Sequence, residues 1–326
     1  MPRKRHLDLS ELTTERANPI ARDLDTKSAL EIARIINHED AKVAAAVQRV
    51  LPQIATAIDW VAYALRHGGR LIYAGAGTSG RIAALDAAEC PPTFNTDTRM
   101  VQFVIAGGAK ALAGATEADE DSRALGIREM RRKRISKNDV VVGLAASGRT
   151  PFTVAAVEYA RRKGARTVAI TCNRGTPLAK AAELAIVVNT GPEVLAGSTR
   201  MKAGTAEKMV LNILSTGAMV RLGYVYGNLM VNLHRKNSKL AERSVSIVQQ
   251  ALGVSQGEAL SALKAAKNSV PLALVMAKSG LKPSAAVRVL TSAQGHVRNA
   301  IALAKKMQHS QVSAVGKAKP RRGEPA

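Results

Sequence analysis

Two glycine-rich segments present hydroxyls where an anion could be held. Gly75-Ala-Gly-Thr78-Ser79-Gly-Arg81 follows a short apolar run and precedes a helical one. Ala146-Ser147-Gly148-Arg149-Thr150 stands in the same position before Pro151, a favoured first helical residue. Backbone amides at a helix start, joined by Thr and Ser hydroxyls, suit one compact phosphate. Gly75, Gly77 and Gly80 also satisfy the G-x-G-x-x-G dinucleotide pattern, but that pattern requires an acid at the end of the next strand. Here the next strand, Val101 to Ala106, runs into Gly107-Gly108 with no carboxylate. Either loop alone reads equally as a capped turn. Together they point to an oxygen-rich anionic ligand.

Carboxylates supply the other chemistry. Glu89 stands at the end of a short helical run, followed at once by Cys90-Pro91-Pro92, so two prolines restrain its backbone. A carboxylate held a few residues past a phosphate loop can serve as a general acid or base. Glu117, Asp119, Glu120 and Asp121 form an acidic knot, which helix-dipole complementarity would also explain. A third segment, Gly191-Pro-Glu193-Val-Leu-Ala-Gly-Ser198-Thr-Arg200-Met-Lys202, sets a carboxylate near hydroxyls and cations at the start of a long helix. Cys90 has no His at a suggestive distance and reads as a small buried residue. The six His are scattered without ligand spacing, so no metal and no cofactor is expected.

The elements that must position these groups follow from periodicity. Val43, Val47, Val50, Ile54, Ile58, Val61 and Leu65 recur at helical intervals, with a kink predicted at Pro52 and a stop at Gly68-Gly69. Strands are predicted at 70–74, 101–106, 139–144, 166–171 and 184–188. Helices are predicted at 82–88, ended by Pro91-Pro92, and at 119–134, 152–163 and 199–222. Continuous apolar strands alternating with helices imply an α/β fold, a doubly wound parallel sheet covered on both faces. Its ligands lie beyond the carboxyl ends of the strands. Past about Lys239 no strand signal remains. A capping box at Ser255-Gln-Gly-Glu258 opens the first of three short helices. The expected organisation is an N-terminal segment (1–40), the α/β domain (41–238), a small three-helix domain (239–305) and a basic disordered tail (306–326).

The chain has 326 residues and a net charge of +23 at pH 7. Part of that charge sits in Arg3, Lys4 and Arg5, part in Arg131 to Arg134, and part in the tail. Such charge suits nucleic acid or an anionic small substrate. An aromatic content of 3% argues against base stacking and hence against single-stranded nucleic acid. The start of the chain lacks an apolar signal core, and the most apolar stretch, 209–233, is interrupted by Arg221 and polar residues, so it reads as a buried helix. Two thiols without C-x-x-C spacing suggest a reducing compartment, and the expected location is cytoplasmic.

Several segments together closely resemble the N-acetylmuramic acid 6-phosphate etherase family of sugar-phosphate (SIS) domains. They are Leu71 to Ile82, Asp86-Ala-Ala-Glu-Cys-Pro-Pro-Thr-Phe94, Ile105-Ala-Gly-Gly108, Gly191 to Thr205 and Tyr226-Gly-Asn-Leu-Met-Val231. Leu12-Thr-Thr-Glu15 and Asn18-Pro19 are similar as well. The resemblance implies a homodimeric lyase, with no membrane or nucleic-acid partner, that removes D-lactate from C3 of a sugar phosphate. It puts the proton donor at Glu89 and the second catalytic carboxylate at Glu120. It assigns the phosphate to Thr78, Ser79, Ser147, Gly148 and Thr150, and the sugar pocket to Glu193, Ser198 and Arg200. Ala118 and Asp119 depart slightly from the family pattern, and Asn232 to Asn237 is more basic than the family leads one to expect. A non-catalytic sugar-phosphate sensor related to the glucokinase regulatory protein is the alternative. A DNA-binding regulator would carry a helix-turn-helix ahead of Gly75, where a long amphipathic helix is expected instead.

Overall fold

The structure is a computed structural model and describes residues 12–114, 117–233 and 238–317. Arg3, Lys4, Arg5, Lys319, Arg321, Arg322 and the basic residues 234–236 lie outside the described residues. The described parts of Met1–Pro91 and Thr96–Ala218 form one compact unit, and those of Pro92–Asn95 and Met219–Ala326 a second.

The first unit opens with short turns and α1 (Ala29–Asp40), whose start is fixed by a reciprocal capping box between Ser28 and Glu31. The expected kink at Pro52 is a full break. Helix α2 (Lys42–Gln48) ends, and α3 (Leu51–Arg66) restarts with Pro52 in its first turn. Proline has no N–H to continue the earlier helix, and its fixed φ suits a first turn.

Five parallel strands follow: β1 (Leu71–Gly75), β2 (Val101–Ile105), β3 (Val140–Leu144), β4 (Arg166–Thr171) and β5 (Leu184–Val187). Their order is β2-β1-β3-β4-β5. The chain therefore reverses direction across the sheet between β1 and β3, where a doubly wound sheet opens its ligand crevice. Both hydroxyl loops leave the sheet there. At the opposite edge Asp139 receives both Nε and Nη2 of Arg70 and the amide of Ser136, which locks β1 against β3.

Alternation along the strands divides the core. Ile72, Ala74 and Val141 face Phe152, Ala156 and Ala160 of α7 (Pro151–Arg162), together with Met130 of α6 (Arg123–Arg132). Phe152 is fully buried, a burial that stabilises by about 1.5–3 kcal/mol. Tyr73 points to the other face, where its hydroxyl donates to Asp86 of α4 (Gly77–Phe94) at 2.7 Å. Asp86 also accepts from Asn212 and Ser215 of α9 (Lys202–Arg221). A Cβ on Gly217 of α9 would come within 2.6 Å of Ile58 on α3, so the small residue permits close helix packing.

Several boundaries differ from expectation. Helix α4 does not end at Pro91-Pro92 but runs to Phe94, which is buried and whose carbonyl accepts from Asn232. Tertiary anchoring at that end outweighs the hydrogen bonds the prolines omit. The helix expected over 119–134 is two, α5 (Glu117–Glu120) and α6, because Ser122 caps α6 through the Leu125 amide. Helix α8 (Pro177–Ala181) is short and was not expected. The apolar run to Leu233 is not one helix. It turns at Gly223 (φ +85°) into a small hairpin of β6 (Val225–Tyr226) and β7 (Leu229–Met230).

Among its described residues the second unit holds five helices after residue 237 where three were expected: α10 (Ser238–Leu252), α11 (Gln256–Ala265), α12 (Val270–Ser279), α13 (Pro283–Ser292) and α14 (Val297–Lys317). Val248, Leu263, Leu274, Val275, Ala300 and Ala304 form its core, so α10 and α14 supply part of the apolar face that the middle three cover. The capping box at Ser255 and Glu258 is present. The tail expected to be disordered from residue 306 is helical to Lys317. Among the described residues no helix is long and apolar enough to cross a membrane.

Candidate active site

The first loop leaves β1 at Gly75 and becomes helix α4 at Gly77, five residues before the helix start expected at Ile82. Gly77 has φ +52°, and a Cβ there would come within 3.0 Å of Glu120 Oε1. The Glu120 carboxyl thus lies against the first turn of α4. Gly80 serves packing, because a Cβ would lie 2.6 Å from Ile105 Cγ1. Arg81 holds the turn that leads to Glu120, donating to the carbonyls of Ala111 and Gly114.

Thr78 faces the start of α9, where a Cβ on Gly204 would stand 3.6 Å from its methyl group. The Gly204 amide donates to Thr199 O, so Ser198 and Arg200 flank the same corner. Ser198 is half-buried and Arg200 exposed. Ser79 is directed inward, with its Oγ 2.9 Å from Glu207 Oε1 of α9.

The second loop starts one strand away, about 5 Å from the first. Gly148 (φ +66°) fits where a Cβ would collide with Thr176 Oγ1 at 2.3 Å and Thr171 Oγ1 at 2.6 Å. Ser147 Oγ accepts from the Arg149 amide. Thr150 precedes α7 without using its side chain as a cap. Asn173, beyond β4, donates to Ala146 O and to Thr14 Oγ1, and accepts from the Thr13 amide. The N-terminal segment is thereby attached to the carboxyl edge of the sheet.

Two expected site residues are placed differently. Glu193 is fully buried, and its oxygens accept from the Lys202 and Ala203 amides at 3.0 and 2.9 Å. Burial raises its carboxyl above the ordinary range, against the pull of those amides. It is a cap for α9 rather than a carboxylate presented to a sugar. Glu89 lies on an exposed face of α4. Ile82, Leu85, Asp86, Lys208, Leu211 and Asn212 line its cleft of about 240 Å³. It stands twelve residues beyond Gly77 on one helix, about 18 Å along the axis. The backbone of Glu89 is thus about 18 Å from the helix start against which Glu120 lies.

Sequence reasoning missed the Glu39–Lys202 pair, the role of Asp86 and Glu207. Lys202 is buried and paired with Glu39 of α1, which also takes Lys42. Burial alone would raise the Glu39 carboxyl, but the two ammonium groups hold it down at about 2. Asp86 is pushed upward by burial, against donation from Tyr73, Ser215 and Asn212. Glu207 is 1% exposed, and burial lifts it to about 8. Its signal was available, since it interrupts the buried stripe of Ala203, Ala206, Val210 and Leu214.

Comparison with known proteins places this arrangement. Residues 53–161 match the glucokinase regulatory protein N-terminal SIS domain, and residues 122–216 match the SIS domain. An N-acetylmuramic acid 6-phosphate etherase of Vibrio vulnificus is 50% identical over 90% of this chain and 98% of its own. Those of Clostridium beijerinckii and Bacillus licheniformis are 48% and 45% identical over 90% and 91% of this chain, and 97% and 98% of theirs. The phosphate-type loops, the acidic turn at Gly77 and the helical C-terminal unit all lie within a similarity of that extent, and the chain belongs to the N-acetylmuramic acid 6-phosphate etherase family.

Proposed function

We propose that the protein is a carbon–oxygen lyase that cleaves the D-lactyl ether at C3 of N-acetylmuramic acid 6-phosphate, releasing D-lactate and N-acetylglucosamine 6-phosphate. The observation that carries this is the Glu120 carboxyl against the first turn of α4, in a chain similar to etherases along 90% of its length. The loops at 77–80 and 147–150 hold the phosphate. Ring opening exposes the C1 aldehyde, which acidifies the C2 proton. Glu120 removes that proton, and Glu89 protonates the ether oxygen as lactate leaves C3, since a poor leaving group needs a proton as it departs. Water then adds at C3 of the unsaturated aldehyde, and a proton returns to C2.

The axial distance of about 18 Å between Glu89 and Gly77 is too great for both carboxylates of one chain to reach adjacent carbons of one sugar. The working unit is therefore a homodimer in which Glu89 of one chain serves the Glu120 site of the other. Leu85, 52% exposed beside Glu89, is an apolar side chain that a second chain would cover. Two buried free thiols, Cys90 and Cys172, suit the reducing cytoplasm. The match to the regulatory-protein domain ends at residue 161, whereas similarity to the etherases extends over 90% of the chain, which favours the enzyme over a sensor.

The test is incubation of the purified protein with N-acetylmuramic acid 6-phosphate, followed by enzymatic assay of D-lactate. Stoichiometric release of lactate and N-acetylglucosamine 6-phosphate is expected. Absence of lactate with folded protein would refute the reading.

A further inference from the structure

Glu207 has no part in the proton transfers above, yet it touches the phosphate loop from behind. Its Oε1 lies 2.9 Å from Ser79 Oγ, and its Oε2 has no hydrogen-bond partner among the described residues. The side chain is 1% exposed, and that of Ser79 is also buried. Among the described residues no cation pairs with it. Lys202, on the same helix, is paired with Glu39, and Lys208 lines the Glu89 cleft. The Cys172 thiol, just past the end of β4, lies within reach of its charge and of that of Glu193, and from α4 the Ser79 hydroxyl is bonded to it. A buried carboxylate with one hydroxyl for a partner would be heavily destabilised, and the neutral acid is not.

The state of the carboxyl decides which way the Ser79 hydrogen points. An ionised carboxylate only accepts, so Ser79 must donate to it and turn its hydrogen away from the loop. A protonated carboxyl can donate across the same contact to Ser79 Oγ. The Ser79 hydrogen is then released towards a phosphate oxygen at the helix start, where charge-assisted hydrogen bonds are strong. We propose that Glu207 is a positioning residue for the substrate: carried as the neutral acid, it donates to Ser79 and aims the Ser79 hydroxyl at the phosphate. An anion in the loop and a proton on Glu207 therefore favour each other. This inference rests on the 77–80 loop being the phosphate site.

The sign of the pH dependence follows. Burial puts the carboxyl at about 8, so it is neutral at pH 7 and ionised at pH 9. Sugar-phosphate affinity should fall across that interval by about tenfold, if the ionised form does not bind. The ligand contributes little, because a phosphate monoester, with its second pKa at about 6, is mainly the dianion throughout.

The probe is N-acetylglucosamine 6-phosphate, whose dissociation constant is measured by calorimetry from pH 7 to 9 with wild type, Glu207→Gln and Ser79→Ala. Wild type should weaken about tenfold across the range. Glu207→Gln should match wild type at pH 7 and stay flat, because an amide donates to Ser79 at any pH. Ser79→Ala should bind weakly at pH 7 and also be flat. A wild-type profile without the loss, or the same loss in Glu207→Gln, overturns the proposal, as does failure of wild type to bind the sugar phosphate. The wild-type profile alone can overturn it, so the outcome does not depend on a variant folding. Lactate release, assayed in parallel, tests the etherase reading separately: binding with this pH profile but without lactate would sustain Glu207 and sink the lyase.

Discussion

Replacing Glu89 by Gln in one chain and Glu120 by Gln in its partner separates a site built within one chain from one shared between two. Glu120 touches the Gly77 position, and Glu89 is twelve residues farther along α4, about 18 Å by helix geometry. A general acid or base must come within about 3 Å of the atom it serves. A backbone offset of that size between the two favours the proposed site in which a second chain supplies Glu89. Each single variant, as a homodimer, should lose about 10²- to 10⁴-fold in turnover. Co-expression with two different affinity tags and tandem purification isolates the mixed dimer. A two-fold dimer has two equivalent sites. In the mixed dimer one site receives both intact glutamates and the other receives neither, so lactate release should return to about half the wild-type rate per dimer. If each site used the glutamates of a single chain, every site in the mixed dimer would carry one defect. Activity would then stay at least about a hundredfold below wild type, and that result would refute the shared-site reasoning.

Three further outcomes follow from the packing. Gly148→Ala adds a Cβ 2.3 Å from Thr176 Oγ1 at a backbone with φ +66°, so urea denaturation should show a loss of about 2–3 kcal/mol and lactate kinetics a raised KM. Lys202→Met leaves the buried Glu39 with Lys42 alone and should cost about 3 kcal/mol in the same assay. Because the Glu39 carboxyl is held at about 2 against an ordinary 4.5, its pairing stabilises fully above pH 4.5 and is lost as pH falls through about 2. Lys202→Met should therefore lose less stability than wild type over that acid interval. Burial pushes the Cys90 thiol up to about 12 and Cys172 well above its ordinary value. Both should resist a thiol-specific dye at pH 8 until the protein is unfolded, and rapid labelling of either in the native state would contradict their burial.

The sheet was legible because its strands are continuous apolar runs between helical segments, and all five fall within a residue or two of expectation. The loops that follow β1 and β3 were legible from their glycines and hydroxyls, since few other residues suit an amide-lined turn at a helix start. Legibility failed where a long-range contact outweighs a local signal. Pro91-Pro92 reads as a helix end, but Phe94 is anchored by packing and by Asn232, residues far apart in sequence. Glu193 reads as a sugar ligand, and only the folded chain shows its oxygens on the first amides of α9. Glu89 and Glu120 were identified by motif, yet motif says nothing about distance, and the helix between Gly77 and Glu89 is what separates them.

The N-terminal segment shows most plainly how the site depends on remote chain. Read alone, residues 12–40 are a polar stretch with few core positions. In the structure Thr13 and Thr14 are bonded to Asn173, some 160 residues away, and Asn173 in turn holds Ala146 O at the root of the second hydroxyl loop. Thr14 O accepts from Gly197, Asn18 donates to Pro192 O, and Glu39 takes the buried Lys202 at the first residue of α9. The 191–202 segment is thus secured on one side by its own carboxylate, Glu193, and on the other by the start of the chain. The 191–201 loop, which carries Ser198 and Arg200 of the proposed sugar pocket, has little regular structure of its own, so its geometry has to come from such contacts. The resemblance of Leu12 to Glu15 and of Asn18-Pro19 to the etherases then has a physical reason: these residues fasten the 191–202 segment and the root of the second hydroxyl loop.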